Sequence, residues 1–183
     1  MPHDRRCVLD VAPDDLAPIP SDDLFASDFL PDPALGAIVG GLIEAHGDEL
    51  DHLNEFGVQI VWKRKGGGSQ GRMRRGRCQS ANGLLKHFSD ADFIVWIAAD
   101  TSREVELTNW QLEALIFHEL LFASFKEDKD GIKTPAIKPV DFEVHTAELD
   151  RYGLWSAELR AARVAFDQLP LPMTISPRQR GAA

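Results

Sequence analysis

The sequence predicts an α+β fold, a small sheet with helices packed on it. Three observations carry the prediction. Residues 56–63 and 92–99 are runs of β-branched, aromatic and other apolar residues of strand length. Residues 33–54 and 109–125 carry apolar side chains at helical spacing. The order of segments is helix, strand, strand, short helix, strand and then three helices, which implies helices laid on a small sheet.

Each element has its own local reason. Residues 1–33 are rich in aspartate and contain Pro2, Pro13, Pro18, Pro20, Pro31 and Pro33, a composition that favours extended or disordered chain. Leu16, Ile19, Leu24, Phe25, Phe29 and Leu30 could still dock this arm on the body. Asp32 is a natural N-cap and Pro33 fits the first turn of the helix over 33–54. Leu35, Ile38, Val39, Leu42, Ile43, Leu50 and Leu53 give that helix its apolar face. Gly36, Gly40, Gly41 and Gly47 weaken it, each by about 1 kcal/mol relative to alanine. After the strand at 56–63, the run Gly66-Gly67-Gly68-Ser69 is a flexible turn and 72–78 returns as a second strand. A short helix covers 81–87. The strand at 92–99 is apolar throughout and needs cover on both faces. Thr108 caps the helix over 109–125. Residues 126–139, with Gly131, Pro135 and Pro139, read as a loop. A helix over 141–151 ends at Gly153, a natural C′ residue. Another covers 156–168 and stops at Pro170 and Pro172, and a polar tail follows. The expected organisation is an acidic arm at 1–33, one domain at 34–169 and a flexible tail at 170–183.

Composition narrows the function classes. Cys7 and Cys78 are the only cysteines, without a Cys-x-x-Cys pair, which argues against a disulfide framework and a thiolate zinc site. No run is long and apolar enough for a membrane span, and the acidic, Pro-rich start is unlike a signal peptide. The expected compartment is the cytoplasm. The net charge of −9 is unevenly spread. Residues 1–55 hold thirteen acidic and two basic residues, whereas 63–77 hold seven basic residues and no acidic one. Lys63, Arg64, Lys65, Arg72, Arg74, Arg75 and Arg77 could contact a phosphate backbone, or they could be the solvated charges of an edge hairpin. The acidic arm could also lie on this basic stretch. Trp62, Trp96, Trp110 and Trp155 read as core or groove residues.

The segment with chemical content is His118-Glu119-Leu120-Leu121-Phe122. In a helical His-Glu-x-x-His motif two imidazoles one turn apart bind zinc, and the glutamate polarises the metal-bound water. Here the second imidazole is replaced by Phe122, which has no lone pair for a metal. On these residues alone the favoured reading is a helix with one buried, hydrogen-bonded histidine and an adjacent acid.

The surrounding chain resembles the phage metallopeptidase family, small zincins of phages and bacterial genomes. The matching stretches are Val-Trp-Lys-Arg-Lys-Gly at 61–66, Asp-Phe-Ile-Val-Trp-Ile-Ala at 92–98 and Gln-Leu-Glu-Ala-Leu-Ile-Phe-His-Glu-Leu-Leu at 111–121. The last is Asp-Phe-Glu-Val-His-Thr-Ala-Glu-Leu-Asp-Arg-Tyr-Gly-Leu-Trp at 141–155. The resemblance implies a minigluzincin-like core, a Zn2+ ion and a peptide substrate. It implies His118 as first metal ligand, Glu119 as general base and Glu143 as a further ligand. Val140 stands where many relatives have histidine. His145 stands where they have an apolar residue, and could supply a ligand with Asp141 or pair with Asp141 or Glu148. Two functional readings follow. One is a zinc metallopeptidase with weakened or lost activity. The other is an inactive zincin scaffold that binds protein or nucleic acid through the basic hairpin.

Overall fold

Strand β6 (Phe93–Ala98) forms the centre of the molecule's main sheet, because five of its six side chains are buried. The computed structural model describes residues 6–69, 72–139, 146–157, 159, 160 and 163. The chain divides into two compact units, Met1–Gly153 and Leu154–Ala183. In the first unit, β6 pairs in parallel with β2 (Val58–Lys63), from Val58 opposite Phe93 to Lys63 opposite Ala98. On its other side it pairs antiparallel with β5 (Gly76–Ser80). Strand β1 (Phe29–Pro31) adds antiparallel to β2, so the mixed sheet runs β1-β2-β6-β5. The continuous apolar run of β6 is explained by cover on both faces.

The helices follow their caps. Helix α1 (Pro33–Ala45) starts where the Asp32 carboxylate accepts the Ala34 N–H at 2.9 Å. It is shorter than the periodicity predicts. The backbone leaves helical geometry at His46 and resumes in α2 (Gly47–Leu50) and a 3-10 turn, Asp51–Asn54. Leu50 and Leu53 remain buried across the break, so the apolar spacing survives while the axis does not. Helix α1 packs on β2. Between β2 and β6 lie the short strands β3 (Gly68–Ser69) and β4 (Arg72–Met73), then β5 and helix α3 (Leu84–Phe88). A one-turn-and-a-half helix, α4 (Ala99–Glu104), follows β6.

Helix α5 (Asn109–Leu120) opens with a reciprocal capping box. Thr108 Oγ1 accepts the Gln111 N–H, and the Gln111 side chain accepts the Thr108 N–H. It ends at Leu120, five residues before the predicted stop, because the chain turns into β7 (Ala123–Glu127). Strand β7 pairs antiparallel with β8 (Lys133–Ile137), a hairpin where the sequence reads as loop. Pro135 lies opposite Phe125 in this two-stranded ribbon, a tolerable place because both strands are edges. The hairpin turn is built by Asp128, whose carboxylate accepts the N–H groups of Asp130 and Ile132, and by Gly131 at φ +79°. Helix α6 (Thr146–Tyr152) ends at Gly153, φ +59°, whose N–H bonds the Leu149 carbonyl at 2.9 Å.

The described part of the acidic arm is extended and packed. Ala17 N–H donates to Leu107 O at 2.8 Å, Asn109 N–H to Asp15 O at 2.8 Å and Trp110 N–H to Pro13 O at 3.1 Å. Phe25 is buried. Arg64 donates to the Phe25 carbonyl, and Arg103 to the Pro20 carbonyl and the Asp22 carboxylate. Of the apolar residues expected to dock the arm, Phe25 is buried whereas Leu16, Leu24 and Phe29 are exposed.

In the second unit Ser156 starts a helical turn, its Oγ accepting the Leu159 N–H at 3.2 Å. Among the described residues no helix is long and apolar enough to cross a membrane.

Candidate active site

The last turn of α5 carries His118 and Glu119. The helix packs on β5 and β6, with Glu119 buried against the sheet and His118 half-buried. Glu119 is 6% exposed. Gly76 on β5 makes room for it: a Cβ there would lie 2.7 Å from Glu119 Oε1. Burial pushes the Glu119 carboxyl up to about 7, against the opposing pull of His118, the Cys78 backbone N–H and Arg74. A carboxyl at that value exchanges its proton near neutral pH.

His118 Nδ1 lies 2.6 Å from Glu148 Oε2 on α6, and Glu148 is fully buried. Burial lowers the histidine's proton affinity, but the Glu148 hydrogen bond and the charges of Glu148 and Glu119 outweigh it and raise its pKa. The imidazole therefore sits between two acids. The Phe122 ring stands edge-on to it, centroids 5.3 Å apart. Phe122 lies beyond the last residue of α5 but still one turn on from His118.

Helix α6 is held to α5 at a second point. Tyr152, one turn after Glu148, donates its hydroxyl to Glu113 Oε1 at 3.3 Å. Glu113 Oε2 accepts the Val8 N–H at 2.8 Å, so the arm docks on the same carboxylate. Arg151 of α6 donates to Glu49 at 2.6 Å.

The structure brings together His118, Glu119 and Glu148. The sequence reading names Glu148 only as a partner for His145, whereas it bonds His118. A signal for it existed: Glu148 and Tyr152 are one helical turn apart, so a helix that buries the tyrosine also turns the acid inward. The expected ligands Glu143 and His145 lie outside the described residues, as do Val140 and Asp141.

A catalytic zinc ion takes three protein donors and a water. Among the described residues no group of three or more histidine, cysteine, aspartate or glutamate side chains could hold a metal. His118 and Glu148 are two donors. Glu119 is held against β5 by the Cys78 N–H, and Phe122 offers carbon. The described residues do not fit a complete zinc site. Cys7 and Cys78 are free and buried, with thiols pushed up to about 12, chiefly by burial. Such thiols stay protonated at neutral pH and are poor nucleophiles.

The basic side chains of 63–77 have different settings. Lys63 lies over the Trp96 ring at 4.4 Å, and Arg64 is engaged by the arm. Arg74 faces Glu119 electrostatically, Arg75 is half-buried, and Lys65 and Arg77 are exposed.

An α+β frame thus carries a helix-borne His–Glu pair beside a sheet strand, with a second acid from helix α6 against the histidine. A family model described as "Putative phage metallopeptidase" matches residues 27–163, more than half of the chain. The chain belongs to that family. No curated protein and no solved structure matches it.

Proposed function

We propose that this chain is a phage-type metallopeptidase fold with a curtailed zinc centre, in which hydrolysis through a metal-bound water is lost. The observation that carries the reading is the Phe122 ring, packed against His118 where a second imidazole would be needed. In this reading Glu148 fixes the imidazole of His118, as carboxylates behind metal-ligating histidines do. Glu119 keeps the acid–base position and the shifted proton affinity suited to it. Loss of one imidazole leaves too few donors for tight binding, since borderline metals at such sites depend on ligand number and geometry. The retained fold then serves to bind peptide or protein rather than to cut it.

Metal analysis of the protein purified without chelator tests this. The expected content is well below one zinc per chain, with no peptidase activity on added zinc. Stoichiometric zinc that disappears in Glu143→Ala or His145→Ala would overturn the reading and return those residues to the ligand set.

A further inference from the structure

A cavity of about 180 Å³ lies under the acidic arm, lined by residues of the arm, α1, β2 and α5. Its lining includes none of His118, Glu119 and Glu148. Leu9 and Val11 of the arm, Leu35 and Ile38 of α1, Trp62 of β2 and Leu112 of α5 supply its apolar lining. The polar groups on the wall already have protein partners. Asp32 accepts from Ala34 N–H and from Trp62 Nε1, each at 2.9 Å. Glu113 accepts from Val8 N–H and Tyr152 OH, and Asn109 Nδ2 donates to Ala12 O at 2.9 Å.

We infer that this cavity is a binding site for a small, neutral, aromatic molecule of about indole size. Size supports the class, since an apolar protein cavity of about 150 Å³ takes up benzene. Chemistry narrows it. A polar ligand finds no unsatisfied donor or acceptor among Asp32, Glu113 and Asn109, so it would lose its water without replacement bonds. An anion would also face the carboxyl groups of Asp32 and Glu113. A flat apolar ring gains contacts with the leucines and Trp62 at no such cost.

Titration of the full chain with indole, followed by ligand-observed NMR, tests the inference, with benzoate as the charged comparison. Saturable indole binding with Kd below about 1 mM, and benzoate binding at least tenfold weaker, is expected. Ala34→Trp, from the cavity wall, and Leu9→Trp, on the arm, each put a large ring into the space. Either folded variant should bind indole at least tenfold more weakly. No saturable binding, benzoate binding as tight as indole, or wild-type affinity in a folded variant would each overturn it.

Discussion

His118 is the residue on which the site turns, and its environment is set by two acids rather than by a second histidine. Glu148 is buried, with the His118 imidazole nitrogen 2.6 Å from its carboxylate. Replacing it by glutamine keeps the volume but removes the charge-assisted acceptor. Glu148→Gln should cost about 1–3 kcal/mol of stability, read by urea denaturation. An unchanged midpoint would mean that the pair contributes nothing to the fold. Glu113 makes a separate, pH-dependent prediction. Burial raises its carboxyl above the ordinary 4.5, against the pull of Val8, Tyr152 and Cys7. The folded chain therefore holds a proton that the unfolded chain releases, so stability falls as pH rises from 4.5 through the folded value. Glu113→Gln removes that loss. Relative to wild type, its melting temperature should improve between about pH 4 and about pH 8, and a constant difference would contradict the assignment. At this scale His118, Glu119 and the defect at Phe122 are legible, because the helical motif fixes their spacing. Glu148 and Glu113 are not, because a buried acid looks like a surface acid until its partner from another element is known.

The elements meet at two glycines that local sequence does not explain. A Cβ on Gly76 would press on Glu119, at 2.7 Å from Oε1 and 2.8 Å from Cγ. A Cβ on Gly66 would collide with the Arg74 carbonyl and lie 2.9 Å from Ala98 Cβ. Gly66→Ala must move backbone, whereas Gly76→Ala can be met by a side-chain shift. Both should destabilise by about 1–3 kcal/mol, with Gly66→Ala the larger, as measured by thermal melting. The reverse order would contradict the packing described for β5 and α5. The Gly-rich segment reads in sequence as a flexible turn, yet Gly66 N–H bonds the Asp100 carboxylate at 2.9 Å and the glycine is buried. Strands β2 and β6, and the starts of α1 and α5, follow from apolar runs and from Asp32 and Thr108. The end of α5 and the β7–β8 hairpin do not. Leu121 to Phe125 has a helix-compatible pattern, and pairing with Lys133–Ile137 across the Asp128 turn makes Ala123–Glu127 a strand.

For the first unit as a whole, the arm is structural. It supplies β1, buries Phe25 and roofs the cavity beside Trp62. Phe25→Ala should cost about 3–5 kcal/mol, read by chemical denaturation, if the arm folds with the body. A loss under about 0.5 kcal/mol would mean that it docks independently. Composition alone suggests a solvated arm, because its aspartates hide the few apolar residues that anchor it. The α+β class is legible from the order of segments, whereas the parallel pairing of β2 and β6 follows from a crossover that no local pattern announces. The family match spans the site, and the account rests on one missing donor. Zinc content of Phe122→His, measured beside wild type after purification without chelator, tests that most directly. The account predicts a rise from well below one zinc per chain toward one. Equal zinc in the two proteins, whether stoichiometric or absent, would contradict it.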